Sequence, residues 1–116
     1  MTQMETATKS ECIFCSIVQH RADASIIYED DACMAFRDIH PEAPTHVLVI
    51  PKIHVEKFSD LATQTEIMDT LMVAVLKVIQ KLGVEHNSKI AINNGKDAGQ
   101  IIPHVHVHVL SKQKSD

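Results

Sequence analysis

The chain has no tryptophan, one tyrosine and three phenylalanines in 116 residues. With aromatics this scarce, a core must rest on Ile, Val, Leu, Met and Ala. Cysteine is limited to three, an odd number that does not suggest the disulfide framework of a small secreted domain. No apolar run approaches the length needed to span a bilayer, so no membrane partner is expected. Residues 1–11 are polar and lack the apolar stretch of a signal peptide. The formal net charge of −4 argues against non-specific binding of nucleic acid. It does not argue against a nucleotide, whose phosphates a few local donors can hold. A chain of this length is one domain with a high surface-to-volume ratio. We expect residues 1–10 to be a disordered lead, 11–111 the domain and 112–116 a short polar tail. The expected location is cytoplasmic.

What the chain does have is a row of histidines. His104, His106 and His108 alternate with Val105, Val107 and Val109, and Leu110 follows. Side chains of a strand alternate between faces, so three imidazoles project one way and three valines the other. Same-face neighbours on a strand lie roughly 6.5–7 Å apart, which suits a groove along an extended anion such as a polyphosphate. Imidazole titrates near neutrality and can serve there as nucleophile, base or donor.

Elsewhere the pattern reads as α+β with an antiparallel sheet. Residues 13–19 suit a short helix. Strands are expected over 25–29 and 32–37, around the acidic turn Glu29-Asp30-Asp31, then over 45–50, 89–93 and 104–110. One long helix fits 64–82, with Thr63 and Glu66 spaced as a capping box and Gly83 as its stop. That helix carries two apolar stripes. Ile67, Leu71, Val75, Val78 and Leu82 form the first, and Met68, Met72, Leu76 and Ile79 the second. One stripe covers the sheet; the other needs either a second copy of the chain or a wide interface within it. The loop Asn94–Gln100 carries Gly95 and Gly99 directly before the histidines, which makes it a candidate phosphate site. Cys12-Ile13-Phe14-Cys15 is a Cys-x-x-Cys pair that can clamp one tetrahedral zinc ion, given two more ligands. A redox pair is the rival, although no thioredoxin-like βαβ pattern surrounds it. A third reading leaves these cysteines without metal. Cys33, inside a strand, reads as a small buried apolar residue. His20, His40 and His86 read as turn residues.

His-φ-His-φ-His-φ-φ over residues 104–110 resembles the signature of the histidine-triad (HIT) family of nucleotide hydrolases and transferases. The resemblance runs from about Cys12 to Leu110. It takes in Glu29–Asp31, Ala35–Ile39, Pro44–Lys52, Asn93–Gly95 and Ala98–Gln100, and looks like the small Hint-type branch in a form similar to bacterial members. It implies a five-stranded antiparallel sheet, extended across a homodimer, with the last two strands paired. It also implies attack by His106 on the α-phosphorus of a purine nucleotide conjugate through a covalent nucleotidyl-histidine. His108 would donate to a phosphate oxygen, Asn93 would reach the phosphate or leaving group, and His46 would support the site. Asp38 would take the ribose hydroxyls, and Phe14, Phe36, Ile39 and Ile50 would wall the base. Gly99 and Gln100 would face the phosphates. The metal ligands implied are Cys12, Cys15, His54 and His104, holding a structural zinc ion.

Hint-type enzymes usually carry Ser or Thr after the loop glutamine. Here Ile101 follows Gln100 and cannot donate a proton. Phosphoramidate hydrolysis then needs another donor or water. The rival readings are a dinucleoside polyphosphate hydrolase and a nucleotide- or zinc-binding regulatory protein with little turnover.

Overall fold

Five short runs rich in β-branched and apolar residues become the five strands of one sheet. The computed structural model describes residues 11–115; the expected lead over 1–10 lies outside them. A six-residue helix, α1 (Ile13–Val18), comes first, then β1 (Ile26–Glu29), β2 (Cys33–Arg37) and β3 (Thr45–Pro51). A 3₁₀ turn over Phe58–Thr63 leads into α2 (Thr65–Leu82), followed by β4 (Lys89–Ala91) and β5 (Val107–Ser111). The sheet order is β1-β2-β3-β5-β4, antiparallel throughout, with the last two strands paired as expected.

Every residue of β3 is buried, because both of its faces are covered. Val47 and Val49 face α2 and pack with Val105, Val107, Val109, Leu71, Ala74, Val75 and Val78. Leu48 and Ile50 face the other way, with Met34 and Phe36, against Phe14 and Ile17 of α1. The period-two alternation thus separates an aliphatic core under α2 from the face on which His46 and the histidine row sit.

At the end of α2, Gly83 takes the left-handed conformation (φ 72°), and its amide donates to the Gln80 carbonyl. The expected capping box at the start does not form. Thr63 belongs to the 3₁₀ turn, so the helix opens after Gln64 with no side-chain cap. Of the second stripe, Met68, Met72 and Ile79 pack against this chain's own core, whereas Leu76 is 65% exposed. Residues 112–115 are less loose than a polar tail would be. The Thr45 hydroxyl donates to the Gln113 carbonyl at 2.7 Å, and the Ser115 amide donates back to that hydroxyl at 2.9 Å.

The β1–β2 turn is held by one carboxylate. Asp30 accepts from the Ala32 and Cys33 amides at 2.8 and 2.7 Å and from the Tyr28 hydroxyl at 2.6 Å. Burial pushes the Asp30 carboxyl up, but these three donors outweigh it and hold the group below its ordinary value. A depressed carboxyl adds stability above its unfolded pKa of about 3.9, and that contribution fades as pH falls through the lower folded value. Asp30→Ala should therefore cost about 2–3 kcal/mol at neutral pH. In urea unfolding, the gap between wild type and variant should narrow on acidification.

Candidate active site

β5 begins at Val107, three residues later than expected. Pro103 has no amide to donate, and the Val105 amide turns aside to the Val55 carbonyl at 2.7 Å. His104 and His106 therefore lie in the segment leading into the strand. The alternation survives this. The valines enter the core under α2, while the three rings gather on the opposite side. Phe14 meets His104 and His106 edge-on, with ring centroids 5.8 and 5.2 Å away, and the rings of His106 and His108 are 5.0 Å apart. That pair is closer than regular strand spacing would place it.

Hydrogen bonds assign a role to each ring nitrogen. Nδ1–H of His106 donates to the His104 carbonyl at 2.7 Å, which leaves Nε2 with its lone pair. Burial pushes the His106 pKa down, partly offset by that bond and by Asp38. Nδ1 of His46 accepts from the Glu42 amide at 3.1 Å, so its Nε2–H donates to His108 Nδ1 at 3.0 Å. His108 must then carry its own proton on Nε2, as a donor. Burial also lowers the His108 pKa, with the neighbouring His106 and His46 acting in the same direction. The relay has no side-chain signature at its origin, because it begins at a backbone amide.

Asp38 lies beside the relay, with Oδ2 at 3.4 Å from His46 Nε2 and Oδ1 accepting from the His40 amide at 2.8 Å. Asp38, His46 and His108 are close enough to hold a cation between them. Their hydrogen bonding argues against it, since His46 already accepts at Nδ1. Ligation through Nε2 would require an imidazolate.

The loop before the histidines is braced from within. Oε1 of Gln100 accepts from the Gly95 amide at 2.8 Å, and Nε2 donates to the carbonyls of Glu56 (2.6 Å) and Ile102 (3.0 Å). Both N–H groups of the Gln100 amide are thus donated to main-chain carbonyls, which braces the loop. Asn93 donates to the Ala98 carbonyl at 2.8 Å, so one of its N–H groups is also occupied in the loop. Gly99 has φ 97°, and a Cβ there would sit 3.3 Å from Asn93 Nδ2, so both conformation and space demand glycine. Beside the loop runs a groove of about 560 Å³ that includes Lys57, Lys96, Ile101 and Pro103 in its walls.

Three further residues converge with His104 behind His106. Sγ of Cys12 is 3.4 Å from His104 Nδ1, and Sγ of Cys15 is 3.3 Å from His54 Nδ1 and 3.6 Å from His104 Nδ1. Their donor atoms all lie within 4.8 Å of one another and could hold a metal ion. The geometry fits. A tetrahedral ion at usual thiolate and imidazole distances has S···N edges of about 3.6 Å. The outer contact fits as well: His104 Nε2–H donates to the Pro51 carbonyl at 2.9 Å, which turns a bare Nδ1 toward the sulfurs. Burial brings the His104 pKa down to about 4, so the ring is a neutral ligand. None of the three cysteines is in a disulfide. Cys33 is fully buried, as expected.

The expected base walls divide. Phe14, Phe36 and Ile50 are 6%, 3% and 0% exposed, so they back the histidine row and offer a ligand little surface. Ile39 is 82% exposed beside Asp38. His20 has left-handed φ (61°) and faces Glu29.

An antiparallel α+β sheet with imidazoles gathered on one face, next to a cluster of two cysteines and two histidines, is the architecture to be compared with known proteins. The chain belongs to the HIT domain family, whose model matches residues 19–115. An uncharacterised HIT-like protein of Synechocystis is 37% identical over 101 residues, covering 86% of this chain and 89% of that one. A HIT family hydrolase from Legionella pneumophila superposes with a TM-score of 0.83 at 34% identity, covering 90% of this chain and 95% of the other. A histidine triad nucleotide-binding protein from Candida albicans superposes at 0.80 with 30% identity, covering 91% and 75%. Among the described residues no helix is long and apolar enough to cross a membrane.

Proposed function

We propose that this HIT protein is a nucleotide hydrolase or nucleotidyl transferase acting at the α-phosphate of purine nucleoside 5′-phosphoramidates or related conjugates. The observation that carries this reading is the bond from His106 Nδ1–H to the His104 carbonyl, which leaves Nε2 as the available lone pair. Nε2 attacks phosphorus, the bond to the leaving group breaks, and a nucleotidyl-histidine forms. Water then attacks the same phosphorus, releasing the mononucleotide and restoring the imidazole. Nε2–H of His108 is already oriented, through His46 and the Glu42 amide, to donate to the non-bridging oxygens as their charge grows.

Asp38 takes the ribose diol. A carboxylate offers about four lone-pair sites, so the His40 amide and His46 leave room for two hydroxyls. The exposed Ile39 supplies the apolar wall for the base, and the remaining amide groups of Asn93 face the phosphate side. Cys12, Cys15, His54 and His104 hold a structural zinc ion, whose chemistry is to fasten the N-terminal segment to the sheet. Two copies pair through apolar side chains that this chain leaves exposed, Leu76 and Ile90 among them, and sedimentation would test this. We place its action in the cytoplasm, where thiolate ligands stay reduced.

Ile101 favours a second reading. An amine leaves with a proton, which isoleucine cannot provide, whereas a nucleotide leaves as an anion and needs none. Dinucleoside polyphosphates are therefore the alternative substrate class. Ile101 is 87% exposed, so replacing it with serine should not disturb packing. Ile101→Ser should raise phosphoramidate turnover by about tenfold or more and leave dinucleotide cleavage unchanged.

The deciding experiment incubates the protein with an adenosine phosphoramidate and, separately, a diadenosine polyphosphate, and follows product and intact mass. A nucleotidyl adduct with turnover of the first substrate supports the proposal, and turnover of the second alone supports the alternative. Tight mononucleotide binding with neither adduct nor product would make this a binding protein.

A further inference from the structure

Phe14 lies between the two cysteines of the metal cluster, and its ring meets the nucleophile. The centroids of Phe14 and His106 are 5.2 Å apart with the planes at 89°, and Phe36 closes the other side of Phe14 at 5.3 Å. α1, which carries Phe14, has six residues. A helix that short does not persist by itself in water, so its position depends on what pins it. The pins are apolar contacts of Phe14 and Ile17 and the thiols of Cys12 and Cys15 facing His104 and His54.

His104 is bonded in both directions. Its ring faces both sulfurs and donates to the Pro51 carbonyl, while its own carbonyl accepts a hydrogen bond from His106 Nδ1–H. A change in how the ring is held is therefore transmitted through one residue to the group that fixes the nucleophile's tautomer. Phe14 gives a second route from the same cluster to the same imidazole, through packing.

We propose that α1 is a metal-dependent clamp on the nucleophile, in which Phe14 and His104 are positioning residues that hold His106 Nε2 on line while Cys12, Cys15, His54 and His104 share an ion. This rests on the reading of His106 as nucleophile and of the cluster as a metal site. When the ion leaves, α1 loosens and the His104 carbonyl shifts. The proton of His106 then distributes between its two nitrogens instead of staying on Nδ1. Nucleotide affinity is set elsewhere, at Asp38, Ile39 and the loop, so the loss falls on kcat.

The test compares the zinc-loaded full chain, the same protein after chelation, and zinc-loaded Phe14→Leu and Phe14→Ala. Nitrogen NMR of labelled histidine reads the His106 tautomer independently of turnover. The loaded protein should show a protonated Nδ1 and a bare Nε2, and the chelated protein an average of the two forms. kcat should fall roughly 10- to 100-fold on chelation with AMP affinity unchanged. Phe14→Leu keeps an apolar side chain and all four metal ligands, so it should fold, perturb the His106 nitrogens and lower kcat less than Phe14→Ala does. His106 nitrogen signals and kcat that match the loaded wild type in Phe14→Leu would overturn the clamp, whether or not the chelated protein stays folded. So would a folded chelated protein with unaltered His106 nitrogens. If the loaded protein forms no nucleotidyl adduct, the nucleophile reading fails, and the nitrogen signals still decide whether metal and His106 are coupled.

Discussion

His106→Ala should leave a folded protein that still binds mononucleotide and has lost turnover by about 10⁴-fold or more, with no nucleotidyl adduct detectable by mass. The size of the effect follows from the geometry. On the function proposed above, the nucleotide's binding contacts are at Asp38, Ile39 and the loop, so removing the imidazole would delete the reacting atom and little of the affinity. Among the described residues, neither of the other two histidines of the row is poised to replace it. His108 Nδ1 is occupied by His46, and His104 turns its bare nitrogen toward the cysteines. His108→Ala should be milder, about 10²–10³-fold, because it removes one oriented donor rather than the bond-forming group. Stability should change modestly, since the vacated space sits beside the adaptable α1 and not in the aliphatic core. Turnover, intact mass and nucleotide titration on the two variants check the ordering. A His106→Ala protein that still forms an adduct would relocate the nucleophile.

Metal removal should produce the second large effect, on stability. An ion bound only by the folded state contributes about 4 kcal/mol when its free concentration is a thousand times its dissociation constant. For a domain of this size that corresponds to a fall in Tm on the order of 15 °C or more. The fold should outlast the ion, because the core under α2 involves none of the ligands. What comes away is the second cluster, in which Cys12, Phe14, Cys15 and Ile17 pack on Met34, Phe36, Leu48 and Ile50. Thermal unfolding with and without chelator gives the shift, and thiol titration identifies the region. Cys12 and Cys15 should react after chelation. Cys33 should stay silent until global unfolding, being fully buried with its thiol pushed up to about 11, chiefly by burial. A metal-free protein with unchanged Tm would reject a structural ion.

The histidine row and the cysteine pair were legible because each is a spacing that backbone geometry converts directly into proximity. Alternation placed three imidazoles on one side even though the strand itself starts late. The strand types and the left-handed stop at Gly83 were legible for the same reason, as local chemistry with one solution. The capping box failed because Thr63 was drawn into a 3₁₀ turn by the preceding segment, where the Lys57 amide donates to Asp60 at 3.2 Å. The partners of Gln100 are main-chain groups, one of them at Glu56, 44 residues earlier. Spacing carries no trace of them. The same holds for the Glu42 amide and the Pro51 carbonyl, which fix two histidine tautomers without any side chain. For Phe14, sequence alone does not separate a ring beside a site from a ring behind it, and the structure shows it packed edge-on against His106.

The topology also governs how the molecule can be assembled. β5 follows β4 in sequence yet lies between β3 and β4, so the sheet stays divided until β5 docks. Before that moment β3 presents an unpaired edge made of residues the finished protein buries. Such an edge templates association between chains. A version stopped before residue 107 would therefore be an aggregation hazard, and the interval before β5 is synthesised is the one in which a chaperone would matter most.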